Sequence, residues 1–225
     1  MKSRFVLVLV LFVFVSLSGV SLESVVPGAS ARRVVVSKAE MQVFTPAGPF
    51  GGGVLVPGTI FPPTKGGTTI LKRGRDCLQY TTHTTGLPAG AYTNWWVLWN
   101  NPENCLDPSN CGFDDFFVDG AATFWATGGV VQANGVGNFQ DRHCVGDDLG
   151  FPGSQNLIGN GLTNPMGAVF WSIIKYHGPA SDDRDVLFHQ THTVLGSCFE
   201  GANAFDFGPP FGVQCFDPQL AILVP

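Results

Sequence analysis

Apolar positions along this chain fall into short runs and alternations rather than a helical period. After one continuous apolar stretch at 5–20, Gly or Pro interrupts nearly every segment whose spacing could build an amphipathic helix. Strand-like segments recur instead. Residues 33–44 are rich in Val, and 53–61 are bounded by Gly and Pro. Leu78, Tyr80, Thr82 and Thr84 alternate with smaller or polar residues, and 91–99 is aromatic. Residues 123–127 and 130–133 follow, the latter running into Asn134-Gly135, the sharpest hairpin signal in the chain. Segments 168–176, 186–194 and 220–224 complete the set, while 45–67, rich in Gly and Pro, reads as loop or edge structure. The pattern predicts an all-β single domain, a β-sandwich or distorted barrel of about ten antiparallel strands.

One strand stands apart. In Asn94-Trp95-Trp96-Val97-Leu98-Trp99, Trp95, Val97 and Trp99 fall on one face and Trp96 and Leu98 on the other. A strand with no polar face belongs in the middle of a sheet covered on both sides. Such rings pack a core more readily than they form a sugar-stacking platform.

The apolar stretch at 5–20 follows Lys2 and Arg4 and precedes Ala29-Ser30-Ala31, a small-x-small cleavage pattern. Sixteen residues are short of the roughly 20 that a spanning helix needs. Residues 1–31 therefore read as a signal peptide and 32–225 as the β-domain, placing the protein in the secreted, cell-surface or periplasmic space. That compartment governs the six cysteines, which read as disulfides with fifteen possible pairings. Cys105 and Cys111 bracket the turn sequence Asp107-Pro108-Ser109-Asn110; Cys198 with Cys215 would close a second local loop, leaving Cys77 with Cys144. With no Cys-x-x-Cys, a zinc site is the weaker reading. Charged residues make up 13% of the chain, the net charge is -5, and loss of 1–31 makes it one unit more acidic. An acidic chain without a basic run argues against nucleic acid or an anionic membrane surface as a partner, and no membrane span is expected after signal cleavage.

Several blocks occur together: Gly86-Leu87-Pro88-Ala89-Gly90, Asn100-Asn101-Pro102-Glu103-Asn104-Cys105, Cys111-Gly112-Phe113-Asp114-Asp115, Ala126-Thr127-Gly128-Gly129 and Tyr176-His177-Gly178-Pro179-Ala180. In this order they resemble a group of uncharacterised secreted bacterial single-domain proteins. The resemblance covers most of 70–200 and implies an exported single domain. The strand running into His177-Gly178-Pro179 is also similar to chordin-type (CHRD) domains, although the histidine that precedes this turn in such domains is replaced here by Ile173-Ile174-Lys175-Tyr176.

Candidate chemistry is sparse. His189 and His192 could ligate a metal with His83, His143 or His177, but on a strand residues three apart point to opposite faces. Asp114, Asp115 and Asp119, beside the Cys105–Cys111 loop, form the first candidate for a weak calcium site. Phe205, Phe207 and Phe211 form an aromatic loop suited to a ligand such as a glycan, since contiguous exposed rings are costly unless used. No Gly-x-Ser-x-Gly or helical His-Glu-x-x-His occurs, so no catalytic residue is assigned. The leading expectation is a non-catalytic extracellular domain binding a ligand or glycan at the cell surface. One alternative is a structural subunit that self-assembles through its N-terminal strand. The other is a metal-dependent enzyme using a histidine cluster.

Overall fold

The computed structural model describes residues 34–43, 67–109, 111–194, 196 and 215–225. Among them, ten strands and one α-helix follow one another: β1 (Val35–Glu40), β2 (Gln42–Val43), β3 (Thr68–Arg73), β4 (Cys77–Thr84), β5 (Gly90–Trp99), β6 (Ala121–Val131), β7 (Gly137–Cys144), β8 (Asn156–Ile158), β9 (Val169–Tyr176), α1 (Arg184–His192) and β10 (Phe216–Leu223). They build a four-stranded sheet, β1-β3-β4-β7, and a six-stranded sheet, β2-β10-β9-β5-β6-β8, in which neighbouring strands run antiparallel. This is a disulfide-stapled β-sandwich. Residues 1–31, read as a signal peptide, and the segment 53–61 lie outside the described residues.

The core follows from residue alternation. On β4, Leu78, Tyr80, Thr82 and Thr84 are buried while Gln79, Thr81 and His83 face outward. Leu78 and Tyr80, with Leu71 of β3, meet Tyr92, Trp96, Leu98, Phe124 and Phe170 of the larger sheet. All ten residues of β5 are buried. Its opposite face carries Trp95, Val97 and Trp99 into a second apolar layer with Trp171, Ile173, Phe116 and the Cys105–Cys111 loop. The two-faced reading of 94–99 holds, and the larger sheet is covered on both sides.

Three sequence expectations change. Residues 186–194 do not form a strand: α1 occupies 184–192, started by the Asp183 carboxylate, which accepts from the N–H groups of Asp185 and Val186 at 2.9 and 3.2 Å. That N-cap outweighs the run's apolar and β-branched content. Asn134-Gly135 does form a turn, with Gly135 at φ +69°. However, β6 and β7 lie in different sheets, so the turn carries the chain across the sandwich instead of closing a hairpin. The N-terminal strand read as one run at 33–44 is divided in two, each part an edge strand of its sheet. It switches sheets at Met41, β1 pairing with β3 and β2 with β10.

Asn100 closes the end of β5. Its buried amide donates to the carbonyls of Gly120 and Gly161 at 2.9 and 2.8 Å, and its side-chain oxygen accepts from Thr163 and Asn164 N–H at 2.8 and 3.1 Å. One side chain thus pins two loops. Asn100→Ala leaves several buried backbone groups unpaired and is expected to lower stability by about 2–4 kcal/mol. Equilibrium urea unfolding checks this, and an unchanged midpoint contradicts it.

Candidate functional site

A cleft of ≈ 430 Å³ opens between β6, β7 and the loop that follows β7. Strand alternation supplies its floor. Along β7, Phe139, Asp141 and His143 turn inward while Asn138, Gln140 and Arg142 face solvent. His143 packs on Phe124 and Trp96, with ring centroids 4.6 and 5.9 Å apart. Burial pushes the His143 imidazole below its ordinary pKa, partly offset by Asp147. Burial likewise raises the Asp141 carboxyl above the usual carboxylate range, with like charge on Asp147 adding to it against a backbone hydrogen bond from Arg142. An acid held up and an imidazole held down in one concave site are the usual marks of a binding or reactive centre.

The rim is aromatic on one side and acidic on the other. Trp125 lines the cleft, its indole N–H donating to the Thr191 carbonyl at 3.0 Å. Its ring stacks on His192 at 5.0 Å and 22°, and His192 stacks on Phe188 at 4.2 Å and 13°. Helix α1 can bring these rings to β6 because Gly128 faces it: any Cβ there would strike the Thr191 carbonyl. Asp147 and Asp148 shape the opposite loop by accepting from Cys144 N–H at 2.8 Å and Gly150 N–H at 3.0 Å. The Cys77–Cys144 disulfide ties the start of that loop to β4. An adjoining apolar hollow of ≈ 220 Å³ is flanked by Phe151 and Phe188, which are 65% and 48% exposed.

The predicted site residues are distributed differently. Cys105–Cys111 and Cys77–Cys144 are bonded as read; Cys215 is disulfide-bonded, and Cys198 lies outside the described residues. Asp115 points inward, its carboxylate accepting from Leu106 and Gly112 N–H, both at 2.8 Å, so it stitches the Cys105–Cys111 loop. Asp114 and Asp119 are exposed. His189 and His192 sit on a helix, where three-residue spacing places them on one side. His192 is engaged with the Phe188 carbonyl at 3.0 Å. His83 faces outward against Asn138 on the four-stranded sheet. Among the described residues, no three His, Cys, Asp or Glu side chains gather closely enough to hold a metal ion. Phe205, Phe207 and Phe211 lie outside the described residues. The Trp125–His192–Phe188 stack was missed because its rings come from two elements and meet only on folding.

A second polar group lies on the other face of the larger sheet. His177 is fully buried, its Nε2 2.8 Å from Thr93 Oγ1 and its Nδ1 2.9 Å from the Gly196 carbonyl. Beside it, Lys175 and Asp217 form a buried pair with Nζ and Oδ1 3.6 Å apart.

Compared with family models, curated proteins and solved structures, the chain matches none. Its chemistry therefore rests on the geometry above.

Burial, and then the neighbouring Lys175, pushes His177 from its ordinary 6.5 down to about 3, against a raising hydrogen bond to Gly196. The unfolded chain takes up a proton below 6.5 that the folded state excludes. The stability contribution is therefore intact above pH 6.5 and is lost as pH falls toward 3. Urea midpoints measured from about pH 7 to pH 4 should fall on the acid side, and His177→Gln should flatten that fall. An identical slope in the variant contradicts the assignment.

Proposed function

We propose that this protein is an exported, non-catalytic β-sandwich that binds a glycan at or outside the cell surface, through the cleft between β6 and β7. Export is supported by the leader-like sequence at 1–31 and by the disulfides, which form and persist in oxidising compartments. Among the described residues, no helix is long and apolar enough to cross a membrane.

The observation that carries the binding reading is a cleft lined by Trp125 and three carboxylates that adjoins, at Gln155, an apolar hollow flanked by two exposed Phe rings. Sugars present apolar ring faces and hydroxyl edges. Trp125 and Phe151 offer flat surfaces for the faces, while Asp141, Asp147 and Asp148 offer acceptors for the hydroxyls. The exposed Phe151 and Phe188 are also costly in water without an occupant. This reading moves the ligand site from the 205–211 loop to a surface built by β6, β7 and α1.

Titration against a panel of neutral and acidic polysaccharides tests it. Phe151→Ala and Asp148→Asn are surface changes, and each should weaken binding about tenfold, the equivalent of ~1.4 kcal/mol. Trp125→Ala should weaken it further. Binding to no member of the panel, or binding indifferent to all three changes, overturns the reading.

A further inference from the structure

Lys175 and Asp217 face each other across β9 and β10, at the point where the ladder is irregular. Tyr176 pairs with Phe216 and Ile174 with Gln219, so residues 217 and 218 together oppose Lys175. Pro218 has no N–H to give the ladder, which suits a bulge, and the bulge aims Asp217 at its neighbour. The two side chains are only 2% and 7% exposed. Their walls include Trp95, Val97, Ile173 and Val194, and a void of ≈ 10 Å³ adjoins them, about the space one water requires.

This is a poor setting for an ion pair. A separation of 3.6 Å exceeds the roughly 2.7–2.9 Å of a charge-assisted hydrogen bond, so the attraction offsets only part of the loss of hydration. Burial also raises the Asp217 carboxyl above its ordinary range, against the opposing pull of Lys175.

We propose that Lys175 and Asp217 condense into an intramolecular isopeptide bond linking β9 to β10. In the step, one proton passes from Nζ to the Asp217 carboxylate and the freed Nζ lone pair attacks Cγ. The Nζ–Cγ bond forms, the Cγ–OH bond breaks, and the hydroxyl leaves as water with a proton from the nitrogen. One amide and one water replace one amine and one acid, with no oxidant, cofactor or second substrate. Burial holds the reacting atoms together and excludes the bulk water that would favour hydrolysis. The product is a neutral crosslink under the outer layer of the larger sheet; it removes the Lys175 charge beside His177 and leaves burial, the larger cause, to hold that imidazole down.

Mass spectrometry of the full-length folded protein, reduced and then digested, tests the bond directly. The expected result is a branched peptide joining the segments around Lys175 and Asp217, lighter than their sum by one water. Trypsin, which cuts after free lysine, should pass over Lys175. In Lys175→Met and Asp217→Ala proteins the mass deficit should disappear. Cleavage after Lys175, together with an Asp217 peptide of unmodified mass in the wild-type protein, overturns the proposal without reference to how the variants fold.

Discussion

Strand β5 has no polar face, and most of the architecture answers to that fact. Trp96 and Leu98 need cover on one side of the six-stranded sheet, and Trp95, Val97 and Trp99 need it on the other. The four-stranded sheet covers the first face. The second is covered by the Cys105–Cys111 loop, Phe116 and the segment around Val194. An exposed face bearing two Trp rings would cost several kcal/mol of apolar burial, so these loops belong to the core rather than to its periphery.

Once loops serve as core, their backbone groups must be satisfied away from water, and a few side chains carry that task. Asn100 bonds two loops at the end of β5. Asp115 holds the small disulfide loop from within. Arg73, buried on the four-stranded sheet, reaches across to the carbonyls of Pro165, Ala168 and Leu223, and burial lowers its pKa to about 10. Buried polar groups of this kind are tolerated only when hydrogen-bonded. Asn100 and Asp115, with Gly128 under α1 and His177 behind the larger sheet, occupy positions of this kind. Each has a structural reason for its residue type.

The cleft lies where this packing ends. β7 is the edge of its sheet, so its inward face is covered at Phe139 but opens by Asp141 and His143, and polar side chains can occupy core-facing positions there. Partial burial shifts both groups without sealing them. The aromatic rim arrives separately, on α1, through the close approach that Gly128 permits. Site and scaffold are therefore built from different parts of the chain.

The β-rich class, the alternation of β4, the two faces of β5 and the Cys105–Cys111 bond were legible along the chain, because a period of two and local turn chemistry are short-range properties, whereas Cys77–Cys144, 67 residues apart, followed only by elimination. The helix at 184–192 was not, since a single Asp183 cap decided between two conformations for an ambiguous run. Nor could the sequence show that Asn134-Gly135 joins strands of different sheets: turn residues fix a local bend, whereas strand partners are chosen by which faces must be buried. The same limit hid the cleft. Asp141, His143 and Trp125 are ordinary strand residues in sequence, and Phe188 and His192 read as strand positions. Residue type and alternation determined the layers of this protein; only tertiary packing, by setting β6 beside β7 and seating α1 on Gly128, decided which side chains meet at its surface.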